Sequence, residues 1–205
     1  DFWRLSGVFR PVGIQLEAPV RMEDIHVSSE VDASLEKGRV KTKLRVFSDR
    51  ENTYAAWMKL GQTDCARRVE GVLSTGEQTI QLSAEMEHPY LWSAESPSLY
   101  ECEVHLCVDS CGLEQIIRQK VGFRRLEIQD GVMLLNRKRL LLRGVNRHEW
   151  SCKTGRAISK HDMERDIILL KQNNFNAVRT SHYPNQSYFY QLCDQYGLYV
   201  VDEVN

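Results

Sequence analysis

Between residues 19 and 124 apolar and polar positions alternate in short runs. In GRVKTKLRVFSD, Val40, Leu44 and Val46 share one parity, and Lys41, Lys43 and Arg45 take the other. A period of two puts these sets on opposite faces of a half-buried strand. NTYAAWMKLG, EQTIQLSAEM, SLYECEVHLCVD and LEQIIRQKVGF have similar length, and Gly, Asp, Ser or Pro punctuate the connectors. No helical period interrupts them. Several short strands separated by turns predict an antiparallel, immunoglobulin-like β-sandwich.

The pattern then changes. RLEIQDGVMLL sets Asp130-Gly131 between two apolar runs, a two-residue hairpin signal. RLLLRGVN follows as a continuous apolar run, the form of a strand buried on both faces. In SKHDMERDIILLKQNN, Met163, Ile167 and Leu170 make a helical stripe. Ser159 and Asp162 stand at the spacing of a capping box, with Asp where Glu or Gln is preferred. FNAVRTSH reads as the next strand and QSYFYQLCDQYG as a second helix. Its apolar side is Tyr188, Phe189, Leu192, Cys193 and Tyr196, and Gly197 is placed for a C-terminal cap. LYVVDE is a third buried strand. Residues 138 to 205 thus predict a β-α-β-α-β run of parallel strands with right-handed crossovers, either a small open sheet or the first part of a barrel. The unpaired last strand and the start without methionine favour a piece of a longer chain.

Composition excludes more than it assigns. The formal net charge is −1 and no stretch is strongly basic, so neither nucleic acid nor an anionic membrane is an expected partner. No apolar run approaches the roughly 18 residues of a membrane span. The six cysteines form no CxxC pair, and Cys102 and Cys107 fall on opposite sides of one strand. Scattered reduced thiols fit the cytoplasm. HExxH, GxSxG, GxGxxG and Walker sequences are all missing.

In parallel α/β folds, sites form beyond the carboxyl ends of the strands. The residues assigned there are Arg143, Asn146, Arg147, His148 and Glu149 after the first strand. Arg179, Ser181, His182 and Tyr183 follow the second, and Asp202, Glu203 and Asn205 the third. A structural network of Arg143 or Arg179 with Asp202 or Glu203 is one reading of this cluster. Two histidines on neighbouring strand ends point instead to a binding site. Trp150 is either packing or an aromatic platform for a sugar.

RGVNRHEW, DIILLKQNNFNAVRTSHYPN and LCDQYGLYVVDEVN together resemble glycoside hydrolase family 2, most nearly its β-galactosidases. DFWRLSGVFRPV is similar to the segment leaving that family's amino-terminal jelly roll, HPYLWSAESPSLYECEV to a late part of its sandwich, and VGFRRLEI to the sandwich's exit. The resemblance implies three units. Residues 1–18 are a jelly-roll tail, 19–124 the immunoglobulin-like sandwich, and 125–205 the start of an incomplete (β/α)8 TIM barrel. It implies retaining hydrolysis of terminal β-D-galactosides by two glutamates. Both are expected after Asn205, so the chain alone is expected to be inactive. His148, Arg179 and His182 are implied as sugar-binding and transition-state-stabilising groups. Asp1 is implied as a galactose contact and monovalent-cation ligand, and Arg143, Asn146, Glu149 and Glu203 as supports. The parent is expected to use magnesium and a monovalent cation and to be a homo-oligomer. HEW departs from the family's usual residue after His-Glu, which leaves the aglycone open. β-Glucuronidase and β-mannosidase activities are the alternatives within the family. A non-catalytic module that binds carbohydrate or protein is the alternative outside it.

Overall fold

Alternation builds the first seven strands: β1 (Val20–Val31), β2 (Lys37–Ser48), β3 (Asn52–Leu60), β4 (Val69–Leu73), β5 (Gly76–Glu87), β6 (Tyr100–Val108) and β7 (Leu113–Val121). The computed structural model describes residues 7–61, 68–108 and 112–204. β1-β2-β5 and β4-β3-β6-β7 form two antiparallel sheets. Val40, Leu44 and Val46 from one and Met58, Leu60, Val104 and Leu106 from the other share the core. Each such side chain stabilises the sandwich by about 1.5–3 kcal/mol. Alternation alone does not single out β1, because a bulge between Met22 and Asp24 switches its parity. Met22 lies before that bulge and Ile25 and Val27 after it, yet all three pack on the same core.

Beyond the sandwich, β8 (Leu126–Gln129) and β9 (Val132–Leu135) form the hairpin expected from Asp130-Gly131. Both turn residues have positive φ, 50° and 75°, as a type I′ turn requires. A second two-residue turn follows at Asn136 (φ 51°) and Arg137 (φ 64°) and leads into β10 (Lys138–Arg139). This turn corrects the reading of RLLLRGVN as one doubly buried strand. Its front joins the hairpin, Leu141 and Leu142 are 51% and 46% exposed, and only Gly144–Arg147 forms strand β11. β11 is an edge strand paired with one neighbour, so the apolar run does not mean burial here.

β11, α1 (Lys160–Gln172), β12 (Ala177–Thr180), α2 (Ser187–Tyr196) and β13 (Tyr199–Val201) complete the β-α-β-α-β unit. Its sheet is parallel, in the order β11-β12-β13. The Ser159–Asp162 capping box is complete despite the shorter carboxylate. Met163 and Ile167 of α1 and Phe189, Leu192 and Cys193 of α2 pack on Val178. Tyr196, expected on that apolar side, is 39% exposed, because α2 ends at that residue. β13 is less buried than expected: Val201 is 45% exposed on its edge strand.

The two parts are wedged together at the amino ends of the parallel strands. Trp92 is 2% exposed, and its Nε1 donates to the Asp194 carbonyl at 2.8 Å. Lys171 Nζ donates to the carbonyls of Ala94 and Gly197, each at 2.9 Å. Gly197 caps α2 in the left-handed region, and a Cβ there would stand 2.4 Å from the Ala94 oxygen. Only glycine satisfies both demands.

Candidate functional site

The carboxyl ends of β11, β12 and β13 form one surface, set by their register. Asn146 and Arg179 are Cα partners, as are Arg179 and Val201, so Asn146 and Arg179 point from the same face. Arg179 Nη1 donates to Asn146 Oδ1 at 3.4 Å. Arg179 and His182, three residues apart, converge on one carboxylate oxygen. Glu203 Oε2 lies 2.8 Å from Arg179 Nη2 and 3.0 Å from His182 Nδ1. These three side chains are 39%, 38% and 32% exposed, so a ligand can reach them.

His148 brings the end of β11 to the same place. Its ring lies edge-on to His182 with centroids 5.5 Å apart, and 6.3 Å from the ring of Tyr183. Burial, followed by repulsion from His182, holds the His148 pKa below its ordinary value. The folded chain therefore keeps this imidazole neutral to lower pH than the unfolded chain, which protonates it near about pH 6.5. The unfolded state binds more protons on acidification. The stabilisation is complete above the unfolded pKa and is lost as pH falls through the folded one. His148→Gln is expected to lose less stability than the parent chain between pH 7.5 and 5 in urea titrations. Equal losses would show that this histidine does not govern the slope.

A second network sets the sheet against α2. Asp202 Oδ1 accepts from Thr180 Oγ1 at 2.7 Å and from the Tyr190 hydroxyl at 2.6 Å. Thr180 Oγ1 in turn accepts from the Glu203 amide at 3.0 Å. Burial, then the bond to Asp202, pushes the Tyr190 pKa up to about 12, so the phenol stays a donor at neutral pH. Arg147 faces the helices rather than the mouth. It donates to Asp166 at 2.9 Å and Asn185 at 2.5 Å, and its guanidinium lies 4.1 Å from the Phe189 ring centre. Thr180 and Tyr190 were not among the candidates. Thr180 lies inside FNAVRTSH, but nothing local marks what either residue does, since each works through a neighbour from another element.

Two placements change the sequence-based picture. Arg143 precedes β11 and sits with Asn176 at the amino end of the sheet, where its amide donates to Asn176 Oδ1 at 2.7 Å. It is therefore at the end opposite the mouth, because the strand starts one residue after it. Glu149 does reach the mouth region, but it is 1% exposed. Its two oxygens accept from the Gln186 amide at 2.7 Å and Arg10 Nη2 at 3.0 Å. It is a fastening between loops. Glu203, already shared by a guanidinium and an imidazole, is no better placed as a free acid or nucleophile.

Asp1, the residue assigned to a monovalent cation, lies outside the described residues. Among the described residues no group of three His, Cys, Asp or Glu side chains is arranged to hold a metal. Glu203 is taken by Arg179 and His182, and Asp202 by Thr180 and Tyr190. These residues do not fit a metal by themselves. What they do present is a cluster of neutral and cationic donors around Glu203. That chemistry suits a ligand rich in hydroxyl groups.

A sandwich joined to parallel β/α units, with its polar cluster at their carboxyl ends, is the architecture of a class of multidomain glycoside hydrolases. The description "Glycosyl hydrolases family 2" matches residues 20–124, and "Glycosyl hydrolases family 2, TIM barrel domain" matches 126–205. The chain belongs to glycosyl hydrolase family 2. It is 42% identical to a β-galactosidase of Halalkalibacterium halodurans over all of its length and 20% of the relative's. It is likewise 42% identical to one of Streptococcus thermophilus, again over 100% of this chain and 20% of that protein. A Parabacteroides merdae β-glucuronidase structure superposes with a TM-score of 0.80 at 29% identity, covering 91% of this chain and 24% of that one. A β-galacturonidase from Eisenbergiella tayi gives 0.78 at 28%, covering 91% and 34%.

Proposed function

We propose that these residues form the sandwich and the first barrel strands of a retaining β-galactosidase, and that they contribute part of its sugar-binding shell. The observation that carries the reading is the convergence of Arg179 and His182 on Glu203 beside His148. Identity of about 40% to several β-galactosidases supports galactose over an acidic sugar. In this reading His148 and His182 hydrogen-bond the sugar hydroxyls. Arg179 supplies fixed positive charge, and Glu203 holds Arg179 and His182 in place. Donors of this kind accelerate hydrolysis when their bonds strengthen as charge develops.

Retaining hydrolysis needs two carboxyl groups about 5 Å apart, one as acid/base and one as nucleophile. Glu149 is fastened by Arg10 and Gln186, and Glu203 by Arg179 and His182, so both reacting groups come from outside residues 1–205. Magnesium, a monovalent cation at Asp1, homo-oligomeric assembly and a cytoplasmic location belong to the same reading. Among the described residues no helix is long and apolar enough to cross a membrane.

The 205-residue chain is expected to give no turnover of a chromogenic β-galactoside above a heat-killed control. A longer polypeptide that carries it is expected to cleave the galactoside in preference to the matching β-glucuronide and β-mannoside. Turnover by the short chain would sink the assignment of both catalytic carboxylates to residues outside it. A preference for the glucuronide would overturn the substrate.

A further inference from the structure

The segment ahead of the sandwich reaches the mouth of the parallel sheet, and we infer that Arg10, with Phe9 beside it, is a positioning residue for the His148–His182 pair. This inference rests on the reading of that mouth as a sugar subsite. The two histidines sit on separate loops, one after β11 and one between β12 and α2. Nothing in either loop alone fixes their mutual geometry. Arg10 touches both. Its Nη2 donates to Glu149, the residue after His148, at 3.0 Å, and to the Pro184 carbonyl, two residues after His182, at 3.2 Å.

The carboxylate makes the tether strong. Glu149 is 1% exposed, and a buried carboxylate without a counter-charge is costly. Its other oxygen accepts from the Gln186 amide, the residue that caps α2 without a side-chain cap of its own. Removing Arg10 would leave Glu149 with one backbone donor, so the buried carboxylate would have to swing out toward water, which loosens the Gln186 contact and both loops. Phe9 braces the same place from the side. The Arg156 guanidinium lies 3.9 Å from the Phe9 ring centre and 5.1 Å from that of Tyr183, which neighbours His148 in turn. DFWRLSGVFRPV carries a family resemblance but not this role, because Phe9 and Arg10 lie 139 residues or more from their partners.

The test uses the whole chain, labelled with ¹⁵N, and needs no catalytic activity. Hydrogen exchange at the Gln186 amide reports the tether, and the imidazole ring signals of His148 and His182 report the pair. Arg10→Ala is expected to speed Gln186 exchange by about tenfold or more and to shift both ring signals, with Val104 and Leu106 of the sandwich unchanged. Arg10→Lys keeps the charge and is expected to restore most of the protection. Unchanged exchange and ring signals in Arg10→Ala would overturn the inference, as would failure of lysine to recover any of the loss. If Arg10→Ala disrupts the whole α/β part, the double variant Arg10→Met with Glu149→Gln removes the unpaired charge as well as the tether. It is expected to fold and still show both changes, and a double variant with parental signals would overturn the inference. Isopropyl β-D-thiogalactoside forms a separate arm, run in the longer polypeptide proposed above. If it leaves the parental histidine signals unmoved there while the Arg10 variants move them, the sugar reading fails and the positioning role stands.

Discussion

Replacing Trp92 by alanine is expected to cost about 3–5 kcal/mol, the usual range for emptying a buried aromatic site. Whole domains are stable by only about 5–15 kcal/mol, so the variant should be visibly crippled. The ring is 2% exposed and lies edge-on to Tyr199 of β13, with centroids 5.6 Å apart. Arg124 covers it at 5.2 Å, and Nε1 holds the Asp194 carbonyl beyond α2's last buried turn. Its backbone is fixed too, with the amide on Phe123 at 2.7 Å and the carbonyl on Asn136 Nδ2 at 3.1 Å. Trp92 thus joins sandwich, hairpin and parallel sheet at one point. The loss should fall unevenly: urea should unfold the α/β part of Trp92→Ala ahead of the sandwich, whose core is separate. Trp92→Phe keeps an aromatic ring and loses the Nε1 bond, and it should recover most of the stability. A cost below about 1 kcal/mol for alanine, or a single undivided transition in every variant, would show that the wedge does not couple the parts.

Periodicity was readable where an element kept one face on a core, and failed in β1, where the bulge switches parity. The parity of Val40, Leu44 and Val46 and the stripe of Met163 and Ile167 translate directly into burial. Turn chemistry was readable at Asp130-Gly131, whose residues tolerate positive φ, and invisible at Asn136-Arg137, where arginine adopts that region because the hairpin demands it. The error at RLLLRGVN has the same source. Leucines announce a buried strand only if something covers them, and β11 has one neighbour. At the site, Arg179, His182 and His148 stood out as polar groups after apolar runs. Arg143 stood out by the same rule and was misplaced, because the strand is Gly144–Arg147 and not the leucine run before it, so Arg143 precedes the strand instead of following it. Arg10 and Thr180 lie in runs that carry the family resemblance, yet nothing local marks what they or Tyr190 do. Their roles exist only once distant segments meet.

The second large effect concerns activity rather than stability. Arg179→Ala, made in the longer polypeptide proposed above, is expected to lower kcat/KM for a β-galactoside by about 10²–10³-fold, the usual loss when a fixed donor at a developing charge is removed. Its stability cost should stay within about 1 kcal/mol, because the Arg179–Glu203 pair is 39% and 32% exposed and solvent screens it. The same substitution therefore separates two roles. A purely structural arginine would lose stability and activity together, whereas one aimed at the sugar loses activity with the urea midpoint almost unmoved. Lysine should not rescue it. Arg179 spans Glu203 with Nη2 and Asn146 with Nη1, and an ammonium cannot hold that planar fork across two strands. Arg179→Lys should thus keep the charge and remain far below the parent enzyme. Full activity in the lysine variant would show that charge alone suffices, and that the register placing Asn146 opposite Arg179 has no part in recognising the substrate.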